Sequence, residues 1–172
     1  CSYPVVLVHE DTVNAYADGK AIYITTGMMR FVESDQELAT VIGHELAHNA
    51  MDHMKAKNIN RAIGTIFDVV AAAYGVNTQG AFGDATGQAY SQEVESEADY
   101  VGVYALALGG VDTKGVANLW RRMGAEMVGI KTQYGASHPG STDRFIAIES
   151  TTAEVTDKVI NMQPLTPNLK KQ

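Results

Sequence analysis

His44-Glu45-Leu46-Ala47-His48 is the segment whose residue types and spacing could do chemistry. Histidines four apart stand one turn apart on the same helix face, so both imidazoles can reach one ion from one rigid element. Glu45 lies about 100° further round the helix. That puts it beside such an ion, where a carboxylate can take a proton from a water the ion polarises. Zinc suits the set, because it accepts mixed nitrogen and oxygen ligands in a tetrahedron and keeps one position open for catalysis. The expected cofactor is one Zn2+ per chain. With five histidines and ten glutamates in 172 residues, a chance match is about one in a hundred. An exposed helix that merely carries two histidines is therefore the weaker reading.

A catalytic zinc usually has three protein ligands, and the third should come from a separate helix. The run Ser91-Gln92-Glu93-Val94-Glu95-Ser96-Glu97-Ala98-Asp99 offers candidates. Glu95 and Asp99 share one face, and Glu93 and Glu97 share roughly the opposite one. A solvated face accounts for one pair. The Glu95/Asp99 pair has the better claim: one member can bind the metal while the other orients a ligand histidine.

The elements that must hold these groups read as follows. Residues 4–8, 12–17 and 21–26 are β-like, and Asp18-Gly19 supplies the positive φ angles of a tight hairpin. The expected start is a small antiparallel sheet. Beyond Gly27 the pattern is helical. Ser34-Asp35-Gln36-Glu37 is a capping box, and Leu38, Val41, Ile42 and Leu46 recur at helical spacing to about Met54. Further helices are expected over about 60–74, 90–108, from 112 past Trp120, and 142–162. A loop with Gly75, Gly80, Gly83 and Gly87 lies between the first and second of these, and the tail from 164 is expected to fray. The fold class is α+β, one domain over residues 1–172.

Composition narrows the function. A formal charge of −7 with no basic run longer than Arg121-Arg122 or Lys170-Lys171 argues against a nucleic-acid partner. One cysteine, Cys1, cannot form an internal disulfide. It is read as the start of a piece of a longer chain, with a lipidated lipoprotein cysteine and a membrane tether as the lesser reading. The apolar stretch 62–76 is too short to span a bilayer and carries Asp68.

The HExxH helix followed by ExxxD in an Ala-Asp context resembles the gluzincin metallopeptidases of the CAAX-prenyl-endopeptidase and HtpX type, and among them the soluble bacterial envelope members. Asn14-Ala15-Tyr16-Ala17 resembles that family's edge strand, and Ile22-Tyr23-Ile24-Thr25-Thr26-Gly27-Met28 the segment leading to its first motif. His138-Pro139 with Arg144 resembles its third landmark. The match covers about residues 5–150. The resemblance implies a zincin-type domain with His44, His48 and Glu95 on zinc, Asp99 supporting a ligand histidine, and Glu45 as general base. It places His138 near the zinc, either stabilising the oxyanion or capping the metal. Arg144 is expected to pair with an acidic residue of the second motif. Two features depart from the family: Gln92 stands where many members have Arg, and the helix usual before the first strand is missing.

The implied activity is hydrolysis of an extended polypeptide that adds a strand at Asn14–Ala17, in envelope or periplasmic protein quality control. The rivals are a non-catalytic zinc module that binds clients, and an interaction domain whose site is autoinhibited. The remaining histidines read as bystanders. His53, five residues past His48, points away from the metal, and His9 is solvated at a strand end. Trp120, Met123 and Met127 read as core. Oligomeric state is not legible.

Overall fold

The computed structural model describes residues 2–81, 90–126, 138 and 142–169, with the side chains at 56, 60 and 64 set aside. Three short strands open the chain: β1 (Val5–Val8), β2 (Ala15–Ala17) and β3 (Ile22–Thr25). The chain is α+β, as its pattern predicts, with helices making up most of the rest. The sheet, however, is mixed rather than antiparallel throughout. β2 and β3 form the expected hairpin, pairing Tyr16 with Tyr23, while β1 pairs in parallel with β3, Val5 opposite Ile22, in the order β1-β3-β2.

The reason is the connection. Residues 9–14 vault the end of β3 from one sheet edge to the other, and local bonds hold the arch. Gly27 N–H donates to Glu10 O at 2.9 Å, and the Thr25 hydroxyl reaches Thr12 O at 2.7 Å. A Cβ on Gly27 would lie 2.2 Å from Thr12 O, so only glycine lets the arch close on the helix that follows. β1, at an edge, leaves Val5 and Leu7 about half exposed. His9 is exposed beyond it, in keeping with its reading.

Six helices follow. α1 (Thr26–Phe31) is capped by Thr25, and α2 (Asp35–Ala50) by Ser34, whose side chain accepts from Glu37 N–H. The Glu37 carboxylate reaches back to Glu33 N–H at 2.7 Å, which completes the capping logic one residue early. α2 stops four residues before the expected Met54. Asp52 adopts the left-handed conformation, φ 57° and ψ 34°, and α3 (His53–Ala73) starts in a new direction. Beyond its first turns α3 carries Ile59, Ile63, Ile66 and Phe67 exposed. Then come α4 (Gln92–Leu108), capped by Ser91, α5 (Ala117–Glu126) and α6 (Thr142–Ile160).

α2 packs most extensively on α4, and α4 in turn on α6. Ile22 and Ile24 of the sheet, Val41 of α2, Tyr104 of α4 and Ile148 of α6 join one buried cluster. Trp120 and Met123 belong to it, as their spacing predicts, and Met127 lies outside the described residues. So do Cys1, Gly83, Gly87, Pro139 and the Lys170-Lys171 pair. Residues 163–169 do not fray. Asn168 N–H donates to the Tyr100 hydroxyl at 2.9 Å, Asn168 Nδ2 to Glu154 at 2.8 Å, and Leu165 packs on the core. Among the described residues no helix is long and apolar enough to cross a membrane.

Candidate metal centre

The site is built where α2 and α4 come closest. Gly43 and Gly102 face each other there. A Cβ on Gly102 would lie 3.2 Å from both Gly43 O and His44 N, so the missing side chains set the helix separation. That approach puts Glu95, on the first turn of α4, against His44 and His48. All three are essentially inaccessible, at 0–2% exposure. His138 arrives from a third segment, also buried.

His44 Nε2 lies 3.1 Å from His48 Nε2 and 3.3 Å from His138 Nδ1. Glu95 is 3.5 Å from His44 Nε2, 3.4 Å from His48 Nε2 and 2.9 Å from His138 Nδ1. Three ring nitrogens and a carboxylate thus converge, with one donor atom of each inside a common 4.8 Å span. Lone pairs so placed repel unless a proton or a metal cation sits between them. Ligands about 2.0–2.1 Å from a tetrahedral zinc stand about 3.3–3.4 Å apart along each edge, and the separations of 2.9–3.5 Å found here bracket that value. The residues therefore fit the metal.

The surroundings tune each candidate ligand. Burial works against a charge on His44, yet the Asp99 and Glu95 carboxylates outweigh it and raise its pKa to about 10, so a metal bound here would have to displace a proton from that ring. Its Nδ1 sits 2.9 Å from Asp99 Oδ1. Burial pushes His48 down to about 2 against the pull of Glu95, which keeps that ring neutral, the form that binds metals. Burial alone would raise Glu95, but the charge and hydrogen bond of His138, with those of His44 and His48, hold it well below the usual carboxylate range. Asp99 is likewise held low: hydrogen bonds from His44 and then Arg144 overcome its burial.

Arg144 grips Asp99 through Nε at 2.7 Å and Nη2 at 2.9 Å, while its Nη1 reaches Glu95 Oε2 at 2.9 Å. Glu45, on α2 next to the first ligand, is fully buried. Neither of its oxygens has a hydrogen-bond partner among the described residues, and Oε1 lies 3.5 Å from His138 Nε2. A buried carboxylate without a donor is costly. It calls for a donor that the described residues do not supply.

Two contacts lie beyond what the sequence pattern reveals. Tyr90 stacks on the His48 ring at 4.1 Å, an aromatic just ahead of the α4 cap whose position alone gives no signal. His53 does not turn away but lies behind His48, because the helix breaks between them. Trp120, in the core, also meets His44 edge-on at 5.2 Å. Asn14, Ala15, Tyr16 and Ala17 form and flank β2 at a sheet edge, with Ala15 and Ala17 buried and Tyr16 stacked on Tyr23.

A model of peptidase family M48 matches residues 2–152. Mitochondrial metalloendopeptidase OMA1 of Arabidopsis thaliana is 32% identical over 150 residues, covering 83% of this chain and 30% of that protein. Metalloprotease YcaL of Escherichia coli is 32% identical over 152 residues, 83% of this chain and 59% of its own length. The beta-barrel assembly-enhancing protease of Yersinia pestis is 24% identical over 133 residues, 68% of this chain and 27% of that protein. The chain thus spans less than two thirds of the length of each of these relatives.

Proposed function

The chain belongs to peptidase family M48, and from that premise we propose that it is a zinc-dependent endopeptidase of the CAAX-prenyl-endopeptidase and HtpX type. In this reading His44, His48 and Glu95 hold one Zn2+, Glu45 is the general base, and residues 1–172 act as one catalytic domain. The observation that carries it is the buried His44, His48, Glu95 and His138 cluster, close enough to share one ion, with Glu45 beside it lacking a hydrogen-bond partner among the described residues.

When bound, the ion acidifies a water and polarises the scissile carbonyl. The chain's own residues do the rest. Glu45 takes the proton as the carbonyl is attacked and delivers it to the leaving amine. Asp99 orients His44, and Arg144 fixes both Asp99 and Glu95 so that neither carboxylate turns from the site. Burial of the cluster keeps bulk water from competing. The substrate is an extended or misfolded polypeptide, and its setting is protein quality control in the bacterial envelope, in line with the name of the Yersinia relative. Strand addition beside Asn14–Ala17 is the docking mode this reading favours.

One observation favours a latent form of the same enzyme. His138 Nδ1 stands within ligand spacing of both His44 and Glu95, so in that form it would be a fourth donor that caps the ion. Zinc analysis and casein cleavage, with and without chelator, test the proposal through Glu45→Gln. The variant should keep its zinc and lose about 10²–10⁴ in turnover. Wild-type turnover by the variant would reject Glu45 as the base, and zinc-loaded wild type that binds clients without cleaving them would favour a client-binding module.

A further inference from the structure

His48 presents Nε2 to the metal cluster and Nδ1 to the opposite side, where His53 Nδ1 lies 3.0 Å away. His53 is buried, at 4% exposure, and its Nε2 meets Glu97 Oε2 at 3.1 Å. The protons on this line follow from the chemistry of imidazole. A His48 that offers the Nε2 lone pair to a metal carries its proton on Nδ1. Among the described residues that N–H faces His53 Nδ1, which must then be an acceptor. A neutral His53 accepting at Nδ1 carries its own proton on Nε2 and donates it to the Glu97 carboxylate.

We infer that His53 and Glu97 form a relay that positions His48 and strengthens it as a ligand. The two metal histidines are then backed alike: His44 directly by Asp99 at 2.9 Å, His48 through one interposed imidazole. The relay rests on the reading that His48 is a zinc ligand, and it gives roles to two residues whose spacing marks them as bystanders. Neither touches the reacting atoms, so both are positioning residues. Their effect is on the tautomer, aim and basicity of the His48 ring, whose other face is held by Tyr90.

Zinc affinity by chelator competition, with melting of the metal-free proteins alongside, tests the relay. His53→Phe keeps a ring but removes the acceptor, and should weaken zinc by about 10- to 100-fold. His53→Asn, which returns an acceptor near the Nδ1 position, should recover part of that loss. Glu97→Gln should lose affinity severalfold alone, and nothing further in the His53→Phe background, since the link it acts through is gone. Metal-free melting temperatures should stay close to that of the wild type. Wild-type affinity in His53→Phe, or equal losses in the Phe and Asn variants, would overturn the relay. If His53→Phe does not fold, unchanged affinity in Glu97→Gln overturns it. A wild-type protein that binds no zinc would remove the zinc-peptidase reading and the relay together, whereas zinc-loaded wild type beside indifferent variants removes the relay only.

Discussion

Glu95 and Asp99 are one helical turn apart, yet they face different partners: the first looks into the ring of nitrogens, the second at the far side of His44. That difference separates their expected phenotypes. Glu95→Gln should strip zinc or weaken it severely, because a neutral amide oxygen replaces a buried carboxylate. Asp99→Asn should cost about 10- to 100-fold in zinc affinity, the size typical of losing a ligand's support. Chelator competition reads both, and a larger loss at Asp99 would put the two roles the wrong way round. His138→Ala, with zinc retained, should raise casein turnover, since the ring stands at ligand spacing; a fall would assign it to the oxyanion instead. At this scale the histidine pair and its glutamate are legible because spacing on one unbroken helix dictates them. His53 is not. Five residues along a continuous helix is about 500°, which turns a side chain well away, and the left-handed Asp52 cancels that arithmetic.

Glycine decides how the elements meet. Gly43 and Gly102 let α2 and α4 touch backbone to backbone one residue before His44 and three after Asp99. Widening that contact moves Glu95 away from the histidines. Gly102→Val should therefore cost about 1–3 kcal/mol in stability, as overpacking typically does, and should weaken zinc as well. Melting and chelator competition on one preparation check it; a variant that melts lower but binds zinc unchanged would mean the helix spacing does not set the site. The helices themselves are legible from capping signals and period, and α4 and α6 run close to their expected limits. The direction of β1 is not. Its apolar run and the six residues after it suit either an adjacent antiparallel partner or an arch over an intervening strand, and hydrogen bonds among Glu10, Thr12, Thr25 and Gly27 select the arch. Asn168 shows the same limit, since its bonds to Tyr100 and Glu154 depend on partners far along the chain.

Across the whole molecule, the cluster joins parts of the chain that local sequence keeps apart. His44 and His48 come from α2, Glu95 from α4, His138 from the segment before α6, and Arg144 of α6 holds two carboxylates of α4. An ion bound there ties these elements in the folded state and has no such set in the unfolded chain, so it stabilises by mass action. At free zinc about a thousand times its Kd the gain is about 4 kcal/mol, which for a domain of this size corresponds to roughly 8–16 °C in melting temperature. The sign follows from binding to the folded form: chelator should lower the melting point and added zinc should restore it. Glu45→Gln should show the same shift as the wild type, because the proposed ligand set does not include Glu45. Glu95→Gln should melt near the chelated wild type and respond little to chelator. Thermal denaturation of the three proteins, each with zinc quantified before and after chelation, checks the set. Equal melting points with and without bound zinc would mean that the cluster does not clamp the fold, and a Glu45→Gln protein blind to chelator would make Glu45 a ligand.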